Sequence, residues 1–426
     1  MAPPPVGDAS TDRSVSPPLP GGETEEGLGA PALRRVTVVL CITQIVAWGV
    51  LFYAFPVLAP TIADTEGWSL TTLMAAFTGT QVVAALAGIW VGRRLDRRGP
   101  RLLMTVGSAL GVVAVLGLAA APTLPWFMAA CAIAGVAMSA TLYPPAFAAL
   151  THWGGVRRIR ALTAVTLVGG LASTVFAPLT AVLESAGSWR SAYAILAAPL
   201  ATTIALHWIG LRAPWTPRLA TERSDGTVRR RDPVLRDREF VAVLAAMTLA
   251  GFAIYAALIN LVPLLVETGF STQQAAIVLA VGGAGQVAGR IAYAPVLGPT
   301  TPDTKVTVVL LITTVTTLVF AAAPDALVAL CAISVVAGSA RGAFTLIQAT
   351  TVTDRWGTAS YGARTGVLSG GVHLAAATAP WLGALAAAAL GGYQQAFVLL
   401  AGCAVAAAAL PRLGARRAGS GPDSLS

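Results

Sequence analysis

The chain of 426 residues is 56% hydrophobic and only 11% charged, with a formal charge of +9 at neutral pH. Those shares lie well above and well below the values of a soluble domain, which sets a water-soluble globular fold aside. The charge does not make a nucleic-acid surface either: the 28 basic residues, all arginine except Lys305, are strung over short connections rather than gathered on one face.

Residues 1–34 come first, rich in Pro, Gly and Ser, with Glu23, Glu25 and Glu26 and no apolar run; they read as a disordered cytoplasmic tail. They lack the charged start and apolar segment of a signal peptide, so the first span is expected to be the uncleaved insertion signal. About twelve apolar runs of roughly 20 residues or more follow, each long enough to cross a hydrocarbon core about 30 Å thick. They lie near 36–62, 70–92, 102–121, 125–150, 159–184, 188–211, 239–266, 271–297, 304–323, 326–351, 361–388 and 391–411. In lipid such spans must be helices, because no water satisfies an open backbone. The expected fold is all-α and integral to the membrane, with twelve transmembrane helices.

The basic residues mark alternate connections. Arg93, Arg94, Arg97, Arg98 and Arg101 lie between spans two and three, Arg157, Arg158 and Arg160 between four and five, and Arg229, Arg230 and Arg231 between six and seven. The opposite connections carry Asp64, Glu66, Glu267 and Asp325, with Arg190 their sole arginine. By the positive-inside rule both termini and the central connection are cytoplasmic, which predicts a multi-pass protein of the cytoplasmic membrane. Cys41, Cys131, Cys331 and Cys403 all fall inside spans, so neither a disulfide framework nor a metal site is expected.

The chain also repeats itself at an offset of about 202 residues. Gly49, Tyr53-Ala54, Gly67 and Ser69 recur as Gly251, Tyr255-Ala256, Gly269 and Ser271. Further along, Gln81 recurs as Gln286, Gly135 as Gly338, Trp153 as Trp356, Arg160 as Arg364 and Pro178 as Pro380. A register held from span one to span five predicts two pseudo-symmetric six-helix bundles, residues 35–212 and 238–411. Between them 213–237 is a cytoplasmic linker, and 412–426 is a second tail. Parallel repeats of this kind place a central cavity between the halves.

Between spans two and three stands Gly92-x-x-x-Asp96-Arg97-x-Gly99-x-Arg101. With the six-plus-six repeat, this loop resembles the signature of the major facilitator superfamily over nearly the whole chain after residue 35. Gly92 would let helices approach closely, Gly99 would permit a tight turn, and Asp96 can accept hydrogen bonds or pair with an arginine. The resemblance implies that Asp96, Arg97 and Arg101 latch the outward-open state. A narrower similarity, to the monocarboxylate-transporter branch, rests on Tyr53-Ala54-Phe55-Pro56, Gly67-Trp68-Ser69, Gly187-x-Trp189-Arg190 and Arg290. Where that branch has a lysine after the first string and an aspartate four residues before the arginine, this chain has Val57 and Gln286. Those replacements remove the groups central to proton–lactate coupling, so a lactate carrier is not expected.

Ionisable residues deep in a membrane are costly and point to function. Counting 1.5 Å per residue, three stay away from the span ends: Arg290 in span eight, Arg341 in span ten and His373 in span eleven. No aspartate or glutamate shares their depth. Two arginines without an internal acid suggest that the substrate is the counter-ion, since the guanidinium fork suits carboxylate and phosphate. Against this stand snorkelling or carbonyl bonding for Arg290, a structural network for Arg341 and a satisfied interior histidine at His373. Tyr53, Tyr255, Gln286 and Asn260 are candidate hydrogen-bonding partners of a substrate, or of neighbouring helices. His373 is the obvious proton acceptor.

The expected function is a secondary active transporter of a small, carboxylate-like organic anion working by alternating access, coupled to protons or a counter-anion. A multidrug or metabolite exporter of the same superfamily is the alternative, although cationic drugs usually call for an intramembrane acid. A non-transporting membrane receptor is a further alternative, but the tails are too short for a signalling domain. No Walker loop, HExxH or triad is present, so no enzyme and no cofactor are expected. A lipid-embedded monomer without nucleic-acid partners completes the expectation.

Overall fold

A computed structural model describes residues 27–217, 222–224, 227–229, 232–322 and 324–416. Most of both expected tails, 1–26 and 417–426, and Arg230 and Arg231 lie outside the described residues. Among the described residues, eleven helical stretches are long and apolar enough to cross a membrane. One of them, Leu124–Ser185, runs for 62 residues, long enough for two crossings.

The helices follow the apolar runs. α1 (Ala30–Trp48) continues through a π-helical turn, Gly49–Tyr53, into α2 (Ala54–Glu66). α3 (Leu70–Arg98) and α4 (Pro100–Ala119) come next. The long stretch is built of α5 (Leu124–Thr141), α6 (Tyr143–Gly154), a 3-10 turn at Gly155–Arg157, α7 (Arg158–Gly170) and α8 (Ala172–Ser185), and α9 (Trp189–Gly210) follows it. In the central connection, β1 (Glu222–Ser224) pairs antiparallel with β2 (Thr227–Arg229). The second half holds α10 (Arg238–Glu267), α11 (Thr272–Ala292) with a π-helical turn at Tyr293–Leu297, α12 (Pro302–Ala322), α13 (Leu327–Trp356), α14 (Tyr361–Leu390) and α15 (Tyr393–Arg416).

Local chemistry sets these limits. Ser69 Oγ accepts from the Thr72 amide to cap α3, and its repeat partner Ser271 accepts from Gln274 to cap α11. At the other end of α3 the helix outruns its apolar stretch by one and a half turns, with Arg97 and Arg98 in the last turn, where cations suit the helix dipole. Gly99 then turns the chain at φ +75°, a conformation that costs glycine nothing.

The repeat is also a repeat of packing. Gly135 of α5 lies against the Thr80 carbonyl of α3, and Gly338 of α13 lies against the Gly282 carbonyl of α11. In each half the missing side chain lets two helices touch backbone to backbone. The two ends of the molecule differ in how the halves meet. At the end carrying the Arg93–Arg101 connection, hereafter the basic end, one continuous core draws on both halves: Leu95, Phe147, Trp153 and Leu162 pack with Tyr293, Phe344, Leu346 and Tyr361. Toward the opposite end the cores are separate. One belongs to the first half, around Phe127, Trp189 and Tyr193, and one to the second, around Phe320, Phe397 and Leu400.

Candidate binding site and gate

The seam between α3 and α14 closes the basic end. A Cβ on Gly92 would collide with the Gly362 carbonyl, and one on Gly366 would come within 2.6 Å of the Gly88 carbonyl oxygen. Just beyond, the buried Asp96 carboxylate accepts from the amides of Gly362 at 2.6 Å and Ala363 at 2.7 Å. These are donors of the first turn of α14, which its own N-cap residue Ser360 leaves unsatisfied. Asp96 therefore caps a helix of the other half, with a carboxylate at the positive end of a helix dipole. A second link, Arg158 to Asp354 at 3.5 Å, also crosses between halves, while Lys305 holds the other Asp354 oxygen at 2.8 Å.

The other residues of the loop signature have different surroundings. Arg101 donates to the Trp208 carbonyl at 2.9 Å and stacks on that indole at 3.9 Å, joining α4 to α9 within the first half. Arg97 is exposed and makes no hydrogen bond among the described residues. Sequence reasoning does not find Asp232. In the central connection it takes Arg364 of α14 in a bidentate pair at 2.7 and 3.0 Å, with both side chains buried. Nothing in the linker, which also carries Glu222, Asp225 and Asp237, singles Asp232 out in the sequence.

Arg290 sits where α11 meets α7. It is 4% exposed, and its Nη1 donates to the Thr166 carbonyl of the other half at 2.6 Å. Its Nε is buried without a partner, and no ion pair reaches it among the described residues. Gly170 makes the room, since a Cβ there would collide with the guanidinium. Tyr143 leans on the same Thr166 carbonyl at 3.4 Å. Tyr53 and Tyr255 lie within electrostatic range of both Arg290 and Arg341, so these four candidates share one neighbourhood drawn from both halves. Trp48 packs against Tyr143 at 5.0 Å and Phe52 at 5.3 Å between ring centroids, which makes the first-half wall aromatic. The π-helical turn Gly49–Tyr53 aims this wall, and the ring of Phe176 fills the space left by Gly49.

Arg341 is bonded apart from Arg290, and the remaining candidates disperse. Arg341 makes one long bond, 3.4 Å to the Gly282 carbonyl, and lines a cavity with Thr313, Thr316 and Thr317. Asn260 donates to its own helix at Ala256, 2.9 Å away, and packs on Gly383. Gln286 lies on α11 one turn before Arg290 and makes no side-chain bond among the described residues. His373 lies on the other seam, across a cavity from Gln81. No group of three or more His, Cys, Asp or Glu that could hold a metal occurs among the described residues.

Residues 40–326 match the family model of the Major Facilitator Superfamily. The chain belongs to the major facilitator superfamily. It is a multi-pass membrane protein. Bovine (Bos taurus) monocarboxylate transporter 13 is 26% identical over 273 residues, and the match spans 63% of each chain. Among solved structures, the human organic anion transporter MFSD10 (TETRAN) superposes with a TM-score of 0.69 at 16% identity, covering 89% of this chain and 99% of that one. The transporter FucP in the outward conformation gives 0.67 at 14% identity, over 89% and 98%. The proton:xylose symporter XylE gives 0.68 at 12% identity, over 89% and 95%. At such identities the structural likeness shows the superfamily fold.

Proposed function

We propose that this transporter carries a small, carboxylate-like organic anion by alternating access, with the basic end and both termini on the cytoplasmic side of the cell membrane. Residues 35–212 and 238–411 are the two rocking units. A relative named for monocarboxylates and a fold neighbour named for organic anions agree with this substrate class. The observation that carries it is Arg290: a guanidinium buried at the seam of the halves, with an unpartnered Nε and no acid beside it among the described residues. A buried cation so poorly satisfied is expensive unless a counter-ion arrives.

The same bond supplies a mechanism. Without substrate, Arg290 spends one donor on the Thr166 carbonyl and so ties α11 to α7. A carboxylate is a stronger, bidentate acceptor than a peptide carbonyl. Substrate arriving from the open end competes for the guanidinium, loosens that tie and favours release of the basic end. Tyr53 and Tyr255, symmetric in the repeat, flank the anion, with Arg341 as a second, weaker attraction. His373 is the candidate carrier of a coupled proton.

Uptake of radiolabelled carboxylates into proteoliposomes tests the reading. Truncating one partner of a buried ionic pair costs about 3–5 kcal/mol, so Arg290→Ala should lose more than about a hundredfold in apparent affinity. Arg290→Lys, which keeps the charge and loses the fork, should fall in between. Wild-type affinity for carboxylates in folded Arg290→Ala protein would defeat it.

A further inference from the structure

We propose that the cavity on the α3–α14 seam is the second half of the substrate site, and that it receives an uncharged hydroxyl carried by the same anion that Arg290 holds. The inference rests on the Arg290 reading and adds to it what the rest of the substrate looks like.

The two seams between the halves are equivalent positions of the repeat. Gln81 corresponds to Gln286, so Ala85, four residues on, corresponds to Arg290. Their surroundings correspond as well. Gly170 of α7 faces Arg290, and Gly370 of α14 faces Ala85, where an added Cβ would lie 3.1 Å from the Ala85 carbonyl oxygen. One seam is filled by a guanidinium. At the other a methyl group stands in its place and a cavity remains, lined among others by Trp48, Gln81, Ser139 and His373.

Its polar groups are unspent. Trp48 Nε1 and Gln81 Oε1 are both buried without a hydrogen-bond partner. His373 makes no hydrogen bond among the described residues, whereas Ser139 is satisfied by the Val136 carbonyl at 2.7 Å. Orphaned buried groups of this kind each cost stability that a ligand can return. The indole nitrogen can only donate and the amide oxygen can only accept. A hydroxyl answers both with one oxygen. A charged group does not fit, because none of the lining residues is Asp, Glu, Lys or Arg.

Tyr143 stands between the two subsites and so constrains the ligand. Trp48 packs on Tyr143 with centroids 5.0 Å apart, and the Tyr143 hydroxyl lies 3.4 Å from the carbonyl that holds Arg290. Carboxylate and hydroxyl are therefore separated by about one aromatic side chain, along a wall that is itself aromatic. A hydroxyl on the carbon next to the carboxylate would not reach.

Binding to purified protein of two matched pairs decides the matter: para-hydroxyphenylacetate against phenylacetate, and lactate against propionate. Wild type should prefer the hydroxylated member of the first pair by about tenfold, the worth of one well-made neutral hydrogen bond or slightly more. It should show no such preference in the second pair. Trp48→Phe and Gln81→Leu should each bring the first ratio close to one, and Gln81→Leu should keep phenylacetate affinity, which also reports folding. Arg290→Ala should weaken both members equally and keep the ratio. The proposal falls if neither pair shows a preference in wild type, in which case the cavity holds water only, or if the seam variants keep the ratio. A lost ratio in the seam variants alongside undiminished binding in Arg290→Ala would leave the seam site standing and remove the Arg290 reading instead.

Discussion

Two helices of the second half begin without a cap of their own and borrow a carboxylate, and the lenders differ. At the basic end α14 takes Asp96 from the first half, at 2.6 and 2.7 Å. At the opposite end α15 takes Glu267 from α10 of its own half, whose carboxylate accepts from the Tyr393 amide at 3.0 Å. The electrostatics are the same in both: an anion at the positive end of a helix, meeting amides the helix cannot satisfy. Only the first bond must break when the halves separate at that end. One ion pair at each end follows the same division. At the opposite end Arg190 pairs with Glu66 and donates to the Ala121 carbonyl at 2.8 Å, all within the first half. At the basic end Arg158 reaches Asp354 across the divide. A shared core at one end and separate cores at the other complete the contrast. The halves are closed against each other at the basic end.

The largest break in this contrast should come from Gly92→Val. No rotamer avoids the Gly362 backbone, so the basic end cannot close and transport should fall to background while the protein still inserts. Accessibility of a cysteine introduced at the seam would rise in the same variant; closure as in wild type would contradict the packing. Next comes Asp96→Ala. Losing a helix cap of this kind costs about 1–2 kcal/mol, a shift of roughly five- to thirtyfold toward the open basic end, read as slowed transport with thermal stability near that of wild type. Asp96→Asn should be milder, since one oxygen still accepts. Smallest should be Glu267→Gln: the same kind of cap is weakened, but within one half, so stability drops slightly and the gating equilibrium stays put. If Glu267→Gln shifted gating as far as Asp96→Ala, the distinction between the two caps would be lost.

Much of this is legible in the amino-acid sequence. The spans, the alternation of basic connections and the repeat all rest on composition and periodicity, which membranes impose strongly. Gly92 and Gly99 stand where a close approach and a positive φ require glycine. What Asp96 binds is not legible, because its partners are backbone amides 266 and 267 residues away, and amides leave no mark in a sequence. Arg101 looks like a latch residue in the motif yet spends itself on Trp208. Asn260 looks like a ligand contact and instead packs on Gly383, a choice made by tertiary packing alone. The pair Asp232–Arg364 joins a linker to a helix turn, a contact that periodicity cannot anticipate.

The coupling proposed for Arg290 is that an anion draws it away from the Thr166 carbonyl and thereby frees the shut end. It is tested most directly by a spin-label distance across that end, between Val156→Cys and Thr304→Cys, both exposed positions, with the four native cysteines replaced. The account predicts one short distance in the free protein and a longer population on saturation with a transported carboxylate, absent when Arg290 is alanine. A carboxylate that is transported yet leaves the distance unchanged, or that lengthens it equally in Arg290→Ala, would contradict the account.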